Sequence, residues 1–275
     1  MKLGYTEFSY GYAFTENLIR NSSAGPTTAP VFPNLIQEAQ LGYDVKVDLP
    51  GLPYFFQFKL PELMVRDTAR EIKIFELPGL AAPFFRMPLM RRDLSNQHAH
   101  LIELEKTFPN SVFYTSSKAD GPASFNRAYG RAEVHVESVL FSPTDIGPLP
   151  DDKTHSVSYA TNMSVAWRCS EPKQVKAQKF EAIRNLGSET FTQRTGSSLE
   201  DTVHEIRKGV LPLIPQQLRS AEGEFRQRVD ARRSTVDGSA SIDDRVRTVS
   251  TDLLVLREFV RVGLGMDLLI AQPRE

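Results

Sequence analysis

Residues Glu38 to Lys59 read EAQLGYDVKVDLPGLPYFFQFK, and their spacing sets the expected fold of the first half of the chain. Tyr43, Val45, Val47 and Leu49 alternate with Asp44, Lys46 and Asp48, which is the two-residue period of a half-buried strand. Leu49-Pro50-Gly51-Leu52-Pro53 carries turn chemistry, and Tyr54-Phe55-Phe56-Gln57-Phe58-Lys59-Leu60 is an aromatic-rich stretch suited to a pleated, buried surface. A turn centred on Pro50-Gly51 sets Asp44 opposite Gln57, and the strand period puts Lys59 on the face of Gln57. This reading gathers an acid, an amide and an ammonium on one sheet face.

Such a grouping suits phosphodiester cleavage, which needs an electrophilic metal, an attacking water and a group that orients the water or meets the developing charge. Magnesium prefers oxygen ligands and keeps several waters, so Asp44 with a backbone carbonyl, that of Phe58, would be a fitting set of protein ligands. The pattern resembles the PD-(D/E)xK nuclease superfamily, in its branch with Gln-x-Lys in place of Glu-x-Lys, over roughly the first half of the chain. The resemblance implies an α/β (α+β) fold with a central mixed sheet flanked by helices. It also implies a Mg2+ cofactor held by Asp44, Phe58 and Glu38, with Asp44, Gln57, Lys59, Glu38 and Glu16 in the catalytic set. Gln57 stands where an acid is usual, so a further carboxylate is needed. Glu38 precedes the hairpin directly; Glu16 lies in the more convincing helical stretch, with Phe14, Leu18 and Ile19 apolar. The same alternation of charged and apolar residues also describes the solvated face of an ordinary antiparallel sheet.

Around this segment the chain reads as helix near 9–20, a loop over 21–30, a short helix at 34–41, and Pro-rich chain over 61–94. A helix follows with Ser95 or Asn96 as its N-cap, then a strand over 111–115. Gln97 falls where some members of the superfamily carry a glutamine that contacts substrate. Residues 155–167 suggest one or two strands, and the Asp145, Asp151 and Asp152 segment a solvated turn. His98 and His100 are two apart, which separates them on a helix, and His135 and His155 are isolated. From about residue 171 the pattern turns helical, so domains of 1–170 and 171–275 are expected. A helix is read over 173–186, and Ser198-Leu199-Glu200-Asp201 opens another with Leu199, Val203, Ile206 and Val210 on one stripe. Val246, Val249, Leu253, Leu256 and Val260 form a short coiled-coil-like seam, for the protein's own core or for a partner or homodimer.

With 275 residues and ordinary apolar and charged fractions the chain is globular, and its net charge of −1 supplies no global field toward nucleic acid. Contact with a polyanion would have to come from local cations, of which Arg86, Arg91 and Arg92, near aromatics, are candidates. The single cysteine fits a reducing compartment, no apolar run spans a bilayer, and a cytoplasmic location is expected. Phosphate-loop, nucleophile-elbow and His-Glu-x-x-His motifs are missing from the sequence. The expected function is a Mg-dependent nuclease acting on DNA or RNA. The alternatives are a non-catalytic scaffold of that fold docking a partner in a bacterial defence assembly, and a binding module without hydrolysis.

Overall fold

A computed structural model describes residues 3–21, 47–194, 196–234 and 244–272. Asp44, Glu38, the helix expected at 34–41 and most of the strand expected at 43–49 lie outside these residues. The protein is α+β, and it divides into two compact units, one of residues 1–21 and 56–186, the other of 22–55 and 187–275.

The first unit opens with α1 (Glu7–Arg20), capped by the Thr6 hydroxyl, which accepts from the Ser9 N–H at 3.0 Å. Strand β1 (Leu52–Lys59) is buried along its whole length, with Phe56–Lys59 in this unit. Phe14 packs on the Phe56 and Phe58 rings at centroid distances of 5.2 and 5.3 Å, and Tyr10 meets Phe58 edge-on at 5.4 Å. Successive strand side chains point to opposite faces, so Gln57 and Lys59 face away from α1. The chain continues through β2 (Glu62–Met64), α2 (Arg70–Lys73), β3 (Phe84–Leu89), α3 (Gln97–Thr107), β4 (Val112–Ser117), α4 (Pro122–Gly130), β5 (Ser138–Phe141) and α5 (Pro143–Ile146). It then forms β6 (His155–Ala160), β7 (Ala166–Arg168) and β8 (Lys173–Gln174) before entering α6 (Phe180–Gln193).

Strands β5, β4 and β1 are neighbours, in that order, in a mixed sheet. A second, antiparallel sheet runs β2-β3-β6-β7-β8. The two are tied by Tyr159 of β6, whose hydroxyl lies 2.9 Å from Ser116 Oγ and donates to the Ser117 carbonyl at 2.6 Å. Phe85 stacks on the Tyr159 ring and Phe141, from the other sheet, meets it at a tilt. The helix expected at 173–186 is displaced to Phe180–Gln193. A turn through Ser170-Glu171 folds the chain back so that Lys173 and Gln174 pair with Arg168 and Trp167, and this pairing overrides local helical preference.

In the second unit, Val47–Leu49 form a turn where a strand was expected. Their carbonyls are taken by other elements: Val47 O accepts from the Leu199 N–H at 3.0 Å and Leu49 O from Gln272 Nε2 at 3.2 Å. Gly51 lies against Thr202, whose hydroxyl accepts from its N–H at 3.0 Å, and an added Cβ would meet Ile270 at 2.8 Å and Leu199 at 2.9 Å. Helix α7 (Leu199–Val210) starts in the expected capping box of Ser198 and Asp201, and Leu199, Val203, Ile206 and Val210 are all buried. Helices α8 (Gln216–Ser220), α9 (Glu222–Ser234) and α10 (Asp244–Phe259) follow, and β9 (Asp267–Ala271) lies beside β1, whose Leu52–Phe55 belong to this unit. The seam residues Val249, Leu256 and Val260 are buried as α10 packs on α7 and α9, with Phe225 edge-on to Phe259 at 6.1 Å. That seam serves the protein's own core.

Candidate functional site

Gln57 and Lys59 are 6% and 8% exposed and share one face of β1. Gln97, the first residue of α3, donates from Nε2 to Gln57 Oε1 at 2.9 Å, and Gln57 Nε2 in turn donates to the Phe58 carbonyl at 3.3 Å. The helix start is held by Ser95, whose hydroxyl accepts from the Gln97 N–H at 3.1 Å, while Asn96 occupies the cap position without a side-chain bond. His98, one residue on, bridges the Tyr114 hydroxyl at 3.0 Å and the Gly147 carbonyl at 2.8 Å, which fixes α3 against β4. Of the residues singled out on β1 and α3, Gln57 and Gln97 therefore meet. The Lys59 ammonium has no ion pair or hydrogen bond among the described residues, whereas the Lys59 carbonyl accepts from Ser116 Oγ at 3.2 Å.

The other candidates are placed elsewhere. Glu16 is buried on α1, on the opposite side of β1, where its carboxylate accepts from Asn17 Nδ2 at 2.6 Å and pairs with Arg20. Asn17 Oδ1 accepts from the Val134 N–H at 3.1 Å, so this polar pocket is internally satisfied. Arg86 forks onto Glu71 with two bonds of 2.6 Å. Arg91 pairs with Asp93, and Arg92 with Asp152 at 2.7 Å, both at the surface. All three arginines thus have acidic partners within the protein.

Magnesium needs harder donors than the described residues supply at this point. Gln57 Oε1 and Phe58 O are neutral and each already accepts a hydrogen bond, and among the described residues no group of three or more His, Cys, Asp or Glu is placed to hold a metal ion. The described part of the site does not fit the ion by itself; the carboxylates needed, Asp44 and Glu38, lie outside the described residues.

A different cluster was not apparent from the sequence. A cavity of about 640 Å3 on the outer side of the five-stranded sheet is lined by Glu62, Arg70, Glu71, Arg86, His155 and Ser170 among others. Glu71 is 2% exposed. Burial alone would raise its pKa, but the Arg86 hydrogen bonds and charge, with Ser158 and a backbone bond, outweigh it and hold the carboxyl below its ordinary value. Burial pushes the nearby Cys169 thiol up, against its contact with Ser158 Oγ at 3.1 Å, so it is not a ready nucleophile. These residues come from β2, α2, β3, β6 and the β7–β8 turn, so no local spacing announces them.

No protein-family model matches the chain, and no curated protein or solved structure is significantly similar to it. Among the described residues no helix is long and apolar enough to cross a membrane.

Proposed function

We propose that the chain is a phosphodiesterase of the Gln-x-Lys nuclease type, with Lys59 as the group that meets charge on the scissile phosphate. One observation carries this reading: Lys59, a residue 8% exposed at the end of an aromatic strand, has no anionic partner for its ammonium among the described residues, and two positions before it a glutamine is oriented by a second glutamine at the head of α3. A cation at the end of a buried strand, with no anionic partner among the described residues, suits an anion that arrives with the substrate. Gln97 holds the Gln57 amide in one orientation, and α3 is in turn held by His98. The magnesium requirement rests on Asp44 and Glu38. The test is cleavage of end-labelled single- and double-stranded DNA and RNA in magnesium. Lys59→Met is expected to lower the rate on the order of a hundredfold or more, the usual loss when a group stabilising transition-state charge is removed; equal rates would contradict the assignment.

A second reading, a non-catalytic scaffold that docks a partner, is favoured by the pairing of Arg86, Arg91 and Arg92 with acids, which leaves little local cationic surface for a nucleic acid. Magnesium calorimetry separates the two. The scaffold shows no heat of binding that Asp44→Asn removes; the enzyme does.

A further inference from the structure

The cavity beside the five-stranded sheet contains a chain of three groups that nothing in the proposed phosphodiesterase uses. Ser170 Oγ lies 2.5 Å from His155 Nδ1, and His155 Nε2 lies 2.9 Å from the Asp151 carbonyl and 3.2 Å from its Oδ1. A carbonyl oxygen can only accept, so the proton of the neutral imidazole is on Nε2. Nδ1 is then bare and accepts from the Ser170 hydroxyl. His155 is 2% exposed and so held in one orientation, whereas Ser170 is partly exposed and lines the cavity. The serine sits in the tight turn between β7 and β8, next to Glu171 at φ 48, which fixes where its oxygen points.

We propose that Ser170, His155 and Asp151 form a nucleophile, base and orienting acid for hydrolysis of a small ester that carries an anionic group. Ser170 Oγ would attack the acyl carbon as its proton passes to His155 Nδ1. The imidazolium returns that proton to the leaving alkoxide as the carbon–oxygen bond breaks, leaving an acyl-serine and the free alcohol. Water then attacks the acyl carbon, giving its proton to Nδ1, and the carboxylic acid departs as Ser170 is reprotonated. The nitrogens are exchanged relative to the familiar triad, but the roles are the same. The cavity volume of about 640 Å3 suits a small molecule, since ligand pockets run roughly 300–1,000 Å3. The anionic preference comes from Arg70, which lines the cavity, stacks over Phe75 at 5.4 Å, and has no acidic partner among the described residues.

The experiment uses a fluorophosphonate probe, with peptide mass spectrometry, and p-nitrophenyl succinate and acetate as substrates. The expected results are a label on Ser170, loss of label and turnover in Ser170→Ala, unchanged label in Lys59→Met, and a KM for succinate, not acetate, raised several-fold by Arg70→Gln. Removing a positioned base typically costs about 10²–10⁴-fold in rate, so His155→Gln should label far more slowly. Because His155 is buried and substituting it risks the fold, Ser170→Ala at the turn decides independently. A folded wild type with Ser170 unlabelled, or ester turnover equal in wild type and Ser170→Ala, would overturn the proposal, and equal handling of both esters would overturn the anionic class.

Discussion

At the level of single residues, three buried groups give measurable consequences. His98 is 4% exposed, and burial depresses its imidazole pKa, with the Gly147 bond opposing and Arg168 and His155 adding to the fall. The folded state therefore takes up a proton less readily than the unfolded chain, whose histidines titrate near about 6.5. Its contribution to stability is complete above that value and is lost as pH falls toward the lower folded pKa. Melting temperature should decline between pH 7.5 and 5.5, and His98→Gln should flatten part of that decline; an unchanged slope would show that the imidazole is not buried neutral. Burial depresses His135 in the same direction, with Arg184 adding to it, so some slope is expected to remain.

Arg86 was expected to contact substrate, but its fork onto the buried Glu71 makes it a structural partner first. Arg86→Met leaves an uncompensated buried carboxylate and should cost about 3 kcal/mol at pH 7, by analogy with other broken buried pairs. The cost should shrink at pH 5, where the stranded carboxyl can protonate, and urea unfolding at both pH values would show it.

Elements were legible where one rule governed them. The run Tyr54 to Lys59, the capping box at Ser198 and the stripe of α7 were each readable because local chemistry and burial agree. Val47–Leu49 and Lys173–Gln174 were misread because partners far along the chain decide them: Leu199 and Gln272 for the turn, β7 for the short strand. The packing of α1 on β1 also depends on one residue whose role no pattern shows. A Cβ on Gly11 would stand 2.9 Å from Phe58 Cδ2, and the ring is pinned by Tyr10 and Phe14. Alanine would gain about 1 kcal/mol of helix propensity, but overpacking costs about 1–3 kcal/mol, so Gly11→Ala should lower stability on balance. Gly130, in α4, has nothing within 4 Å of its added Cβ, and Gly130→Ala should be neutral or stabilising. Thermal melts of the two variants would check the contrast, and a stabilised Gly11→Ala would mean that α1 is looser on β1 than these contacts imply.

For the molecule as a whole, the α+β class was expected from the nuclease resemblance, while the second sheet was not legible, because its strands are short and scattered among prolines. The candidate site was legible in part. Gln57 and Gln97 meet, and Lys59 shares the Gln57 face of β1 by the strand period, whereas Glu16 lies on the other side of β1 with Asn17 and Arg20. The cavity cluster was illegible because β-pairing, not sequence spacing, brings Ser170 to His155. The central claim is that the Lys59 ammonium, without an anionic partner among the described residues, meets the substrate phosphate. Its most direct test is magnesium-supported cleavage of labelled nucleic acid by wild type and Lys59→Met, with melting curves taken on the same samples. The account predicts a variant that stays folded and cuts at least about a hundredfold more slowly; a variant that cuts as fast as wild type would contradict it.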